Sequence, residues 1–227
     1  MRYLSRNKVY EKIEVNHDAK KIYIFCEGKE TEVNYFKYFQ GFSSNIDLIP
    51  IPSENGKSDP VKLKENAELL FLEKDCNNPK FKLSAEFKDE VWFVIDTDEW
   101  NVGNKIQQLK DFCKQNNNEL EQWHLAQSNL CFEIWQYYHF YDEKPIQEEV
   151  DKCTSFKEFL NLKVKGGFDN RSMPIELENA IKNAIKNFEI ENDQPKTHST
   201  EVYKLGIKIL PFVKEQLEKS KKMISKK

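Results

Sequence analysis

Residues 91–100 read VWFVIDTDEW: an apolar run from Val91 to Ile95 passes directly into Asp96, Thr97, Asp98 and Glu99. A continuous apolar run rich in β-branched and aromatic side chains fits a strand buried on both faces. Such strands belong to parallel sheets covered by helices, whose ligands bind outside the carboxyl ends of the strands. The acids therefore fall where that architecture puts its site. In an extended chain Asp96 and Asp98 leave the same face, about 6–7 Å apart. Carboxylates that close repel unless they are protonated or bridged by a cation. Oxygen-only ligands suit Mg²⁺, Mn²⁺ or Ca²⁺ rather than zinc. The competing reading is an acidic surface turn after a strand.

Upstream, Lys21–Cys26 (KIYIFC) predicts a short strand ending at Glu27-Gly28, where the glycine permits a turn. Val33, Phe36 and Phe39 then recur at helical spacing, with Thr31 as a candidate N-cap. Ile46–Ile51 predicts another strand, and Pro50 places it at an edge. Val61–Asp75 predicts an amphipathic helix with Pro60 near its first turn. Downstream, Val102–Cys113 predicts a helix and Gln122–Ala126 a fourth strand. This alternation argues for an α/β fold: a parallel sheet of about four strands flanked by helices, with right-handed crossovers. Asn129–Phe140 then reads as an apolar helix with Ser128 and Asn129 at its start, followed by helices over Ser155–Leu162, Pro174–Phe188 and Ser199–Leu217 and a frayed tail. The organisation expected is an N-terminal arm (1–20), an α/β core (21–128) and a C-terminal helical extension packed on the core (129–227).

The 227 residues allow one large domain, and 35 basic against 38 acidic residues give a formal charge of −3. That balance carries no overall basic footprint for nucleic acid, although local patches are compatible with it. The five cysteines are scattered without zinc spacing and read as reduced thiols of a cytoplasmic protein. The amino terminus lacks the apolar core of a secretion signal, and no run approaches the ~20 apolar residues of a membrane span. There is no G-x-x-x-x-G-K-[ST] phosphate loop in the sequence.

Three stretches, EGKETEVNYF (27–36), DTDE (96–99) and SNLCFEIWQYYHF (128–140), together resemble the RloB-like family, and the likeness spans most of the chain. His198–Leu205 (HSTEVYKL) adds to it. Val33 and Leu130 depart from the pattern at positions where the family often has proline. The family is associated with prokaryotic anti-phage and restriction loci, including abortive infection, and is viewed as a variant of the Toprim fold. The Toprim signature, a Glu after the first strand and Asp-x-Asp after a later one, is met by Glu27, Asp96 and Asp98. The resemblance implies Mg²⁺ or Mn²⁺ held by these three acids. It also implies a nuclease acting on RNA, tRNA included, or DNA, with a partner ATPase of the ABC or SMC type.

Under that reading Asp96 and Asp98 are metal ligands and Glu27 is a ligand or a general acid or base. Glu133 joins them, because a Glu within an apolar segment is unusual unless paired or liganded. Among further candidates, Glu99 ordinarily belongs to a solvated turn, and Lys29 can meet a phosphate but is ordinarily a solvated lysine. Glu32 suits a helix's first turn and lies beside the site in the family pattern. Ser128 and Asn129 can aim helix N–H groups at a phosphate, though capping alone is the plainer role. A lone histidine such as His139 is more often a hydrogen-bonded structural residue. The tail lysines, with Lys204 or Lys208, can meet a phosphate backbone but more simply form a solvated terminus. Two alternatives stay open: a non-catalytic Toprim-like subunit that binds a partner protein or a nucleotide, and metal-dependent nucleotidyl transfer.

Overall fold

The structure, a computed structural model, describes residues 12–53, 59–72, 78–97, 103–117 and 122–225. In chain order, β1 (Lys20–Cys26) leads to α1 (Thr31–Lys37), β2 (Ile46–Ile51), α2 (Pro60–Phe71), β3 (Glu90–Asp96), α3 (Lys105–Asn116) and β4 (Trp123–Asn129). The second half adds α4 (Glu133–Tyr137), α5 (Gln147–Val150), α6 (Phe156–Lys163) and a 3-10 turn over Met173–Glu176. It then continues through α7 (Leu177–Asn187), the short strands β5 (Ile190–Glu191), β6 (Gln194–Pro195) and β7 (Ser199–Thr200), and α8 (Val202–Ile224).

The main sheet has the order β2-β1-β3-β4-β7. Strands β1 to β4 are parallel, and β7 pairs antiparallel with the carboxyl end of β4. The central strands bury both faces, which is why their sequences run apolar without alternation. Ile22, Ile24 and Cys26 of β1, with Trp92 and Val94 of β3, face a core built with α1, α4, α7 and α8. Tyr23, Phe25, Val91, Phe93 and Ile95 face the other core, closed by α2 and α3. By this alternation Asp96 leaves β3 on the α1/α4 side, the face of Trp92 and Val94.

The larger core runs from Ile22 to Leu217 and so joins both halves of the chain. Gly206 permits the closest approach of α8: a Cβ there would lie 3.0 Å from Ile181 Cγ1 and 3.3 Å from the Trp135 ring. At the amino end of β3, Glu90 is held by Lys20 at 2.5 Å and by the Trp92 indole N–H at 2.8 Å. Burial pushes the Glu90 carboxyl up, but these partners and Lys208 outweigh it and bring it down.

Several local expectations are corrected. Thr31 is the first helical residue of α1, and the preceding Glu30 makes no side-chain cap. The cap on α2 is Asp59, which accepts from Val61 N and Lys62 N. Strand β4 extends through Asn129, so Ser128 and Asn129 cap nothing; α4 starts only at Glu133, after Phe132. Their polar groups serve strand and loop contacts instead. The Ser128 hydroxyl meets the Thr200 hydroxyl at 2.8 Å, and Asn129 Nδ2 donates to Pro195 O at 2.8 Å. Ser199 and Thr200 form β7 and not a helix start, and α8 continues to Ile224, past the expected end at Leu217. Lys204, Lys208, Lys219 and Lys221 pair with Glu201, Glu90, Glu215 and Glu176.

Candidate active site

The acids gather at the carboxyl ends of β1 and β3. Glu27 follows β1 directly and is 9 % exposed. Its backbone N–H donates to Val94 O at 3.2 Å, and its Oε2 accepts from the Asp96 N–H at 2.8 Å. The carboxylate of one strand end is thus aimed by the backbone of the next. The chain turns at Gly28, whose N–H donates to Glu32 Oε1 at 3.2 Å. A Cβ on Gly28 would lie 2.2 Å from Glu32 Oε2, so the absence of a side chain there gives the Glu32 carboxylate its place.

Glu32 is 5 % exposed and points inward from α1. Burial pushes its carboxyl up, and the nearby Glu133 carboxylate adds to this against the opposing backbone hydrogen bonds. Glu133 opens α4 and is half-buried. Near both Glu133 and Asp96 is Cys131, whose thiol is raised by burial first and then by those two charges. Glu27, Asp96, Glu32 and Glu133 therefore form one neighbourhood, with Glu27 and Asp96 from strand ends and Glu32 and Glu133 from the two helices covering that face. Cys131 was not anticipated from the sequence; only its place inside the SNLCFE stretch, next but one to Glu133, signals it.

The floor beside the acids is a polar ladder. Thr97 N donates to Ser128 O and Leu130 O, Thr97 Oγ1 donates to Ser128 O at 2.8 Å, and Gln127 Nε2 donates to Thr97 Oγ1 at 2.9 Å. The Asn129–Leu130 peptide is cis. Ser128 is fully buried, and its hydroxyl is engaged by Thr200.

His139 separates from this group. His139 is 1 % exposed in the α1/α4 core, with Nδ1 at 3.0 Å from Trp135 O and Nε2 at 3.1 Å from the Tyr35 hydroxyl. Burial pulls its pKa down to about 3. The neutral ring donates from Nδ1 and accepts at Nε2, which is a structural role. Lys29 is exposed on the β1–α1 turn. Asp98 and Glu99 lie outside the described residues. Among the described residues, no three His, Cys, Asp or Glu side chains close up enough to hold a metal ion. The donor set nonetheless suits a hard divalent cation: carboxylate oxygens predominate, and the Glu32–Glu133 repulsion is one that a cation relieves.

The four described cysteines, Cys26, Cys113, Cys131 and Cys153, are free thiols. No helix among the described residues is long and apolar enough to cross a membrane. A protein-family model described as RloB-like protein matches residues 22–209. No curated protein and no solved structure matches the chain.

Proposed function

We propose, on the premise that this chain belongs to the RloB-like protein family, that it is a divalent-metal-dependent nuclease serving as a defence effector with a separate ATPase of the ABC or SMC type. The observation that carries the reading is the desolvated acid group: Glu32, raised by burial and by Glu133, beside a Glu27 carboxylate fixed on the Asp96 N–H. Glu27, Asp96, Asp98 and Glu133 would hold Mg²⁺ or Mn²⁺, which supplies a polarised phosphoryl oxygen and an activated water. The chain's own part is orientation and proton handling. The Asp96 N–H keeps Glu27 from turning away. Glu32, whose carboxyl is raised by burial and by Glu133, is suited to pass a proton.

The direct test is incubation with Mg²⁺ or Mn²⁺ and mixed RNA, tRNA and DNA, alone and with the ATPase. Cleavage that stops on adding EDTA is expected. No cleavage of any substrate under any of these conditions would leave the non-catalytic subunit as the better reading.

A stability measurement probes the same acids without turnover. A carboxyl whose folded pKa is raised costs stability once pH exceeds its unfolded value. Glu32→Gln removes that cost and keeps an oxygen for the Gly28 N–H. Without metal at pH 7–8 the variant should be more stable by on the order of 1–2 kcal/mol, with the gain vanishing as pH falls through the carboxylate range. Mg²⁺ should raise the melting temperature of the parent more than that of the variant. Equal melting curves at both pH values would show that Glu32 is not a strained charge.

A further inference from the structure

Beside α1, on another side from Glu32, a cavity of about 410 Å³ opens between Asn34, Lys37 and Tyr38 and the loop carrying Phe168 to Arg171. That is within the ~300–1,000 Å³ range of small-ligand sites. Its charge runs against that of the whole chain: Lys12, Lys37 and Arg171 line it against one acid, Asp169. Asp169 is occupied by its own loop, accepting from Arg171 N at 3.0 Å, Arg171 Nε at 2.9 Å and Ser172 Oγ at 3.0 Å. It therefore steers the guanidinium by one nitrogen. Neither Lys12 nor Lys37 has an ion-pair partner among the described residues. Phe168 and Tyr38 supply an apolar wall, which a bare inorganic anion would not use, and Asn34 and Asn170 supply amide edges.

The loop is latched to both acid-bearing helices. Asn170 Nδ2 donates to Thr31 O at 3.3 Å, next to Glu32, and Gln136 Nε2, one turn beyond Glu133, donates to Asn170 Oδ1 at 3.3 Å. One wall of the cavity is thus tied to the backbone beside Glu32 and to a side chain one turn from Glu133.

We propose that this cavity is a nucleotide subsite: Lys12, Lys37 and Arg171 take the phosphate, and the base lies against Phe168 with the two amides at its edge. Cations that track phosphates and an aromatic ring that takes a base are the pairing by which single strands are held. That the nucleotide belongs to a longer strand rests on the nuclease reading; that the cavity binds a nucleotide does not.

The test is binding in EDTA, so that cleavage plays no part. Fluorescence anisotropy follows a short labelled single-stranded RNA or DNA across salt concentrations, and calorimetry follows nucleoside monophosphates and inorganic phosphate. Three phosphate-facing cations predict a slope of log K against log salt of about −2 for a single strand. The double variant Lys37→Ala, Arg171→Ala should bind about tenfold or more weakly, with the slope reduced to about −0.7. Phe168→Ala should weaken binding and leave the slope alone. Because Phe168 also packs on His139, Asn34→Asp serves as a second variant at an exposed position and should bind several-fold more weakly. The proposal is overturned if the double variant binds like the parent, if neither oligonucleotide nor mononucleotide binds, or if inorganic phosphate binds as tightly as a nucleotide. Binding of the mononucleotide but not the strand would keep the subsite and detach it from the nuclease reading. Binding here, together with no cleavage in the Mg²⁺ or Mn²⁺ incubations with and without the ATPase, would sink the nuclease reading alone.

Discussion

Asp96→Asn is expected to lower metal-dependent cleavage by about 10³-fold, the several kcal/mol that a Lewis-acid centre supplies to a phosphoryl transfer. The substitution keeps the shape of the side chain and the backbone N–H on which Glu27 is held. It removes one negative charge from a face that also carries Glu32 and Glu133; the Cys131 thiol, raised first by burial and then by the Glu133 and Asp96 charges, lies beside it. The metal-free variant should therefore fold at least as stably as the parent, and only the response to Mg²⁺ should collapse. Rates from single-turnover cleavage and melting curves with and without Mg²⁺ decide this together. A variant that cleaves at the parent's rate would remove Asp96 from the chemistry. A variant that melts many degrees lower would show a structural carboxylate.

The second large effect is on acid stability, and it comes from His139. Its pKa is 6.5 in model compounds and about 3 in the fold, where burial disfavours the imidazolium. The folded state thus binds fewer protons across that interval. Its contribution is complete above pH 6.5 and is lost as pH falls toward 3, at about 1.4 kcal/mol per pH unit and ~4–5 kcal/mol in all. Against a typical total of ~5–15 kcal/mol, that is enough to bring unfolding within reach near pH 4. Urea midpoints from pH 7 to pH 4 should fall steeply for the parent and more gently for His139→Gln. Glu32 works in the opposite direction over part of this range, since its raised carboxyl favours the fold in acid. The difference between parent and variant isolates the imidazole from it. Parallel slopes would mean that the ring is not buried neutral.

The strands were legible because of what they bury. VWFVID and KIYIFC run apolar without alternation, and both faces of β1 and β3 carry a core. Pro50 marked β2 as an edge strand, and β2 is one. The region around Ser128 was misread for a physical reason. Ser128 and Asn129 look like helix-start chemistry, but with Gln127 they hydrogen-bond to Thr97, Thr200 and Pro195. Two of those partners lie about seventy residues later in the chain, and no local pattern announces them. Glu32 posed the same difficulty. A Glu in a first helical turn is ordinary, and only the fold shows that it is buried and facing Glu133. His139, by contrast, is buried and hydrogen-bonded to Trp135 O and the Tyr35 hydroxyl, the setting that its place in an apolar segment suggested.

The two rungs by which β7 joins β4, Ser128 with Thr200 and Asn129 with Ser199, bear on how the protein tolerates being shortened. Glu201 N also donates to Gln127 O at 2.8 Å, so the last quarter of the sequence fastens the strand end that aligns with Asp96. A truncation before Ser199 would strip that fastening along with α8. It would bare the outer edge of β4 to pairing with other chains, and its first symptom should be self-association rather than a tidy loss of one helix.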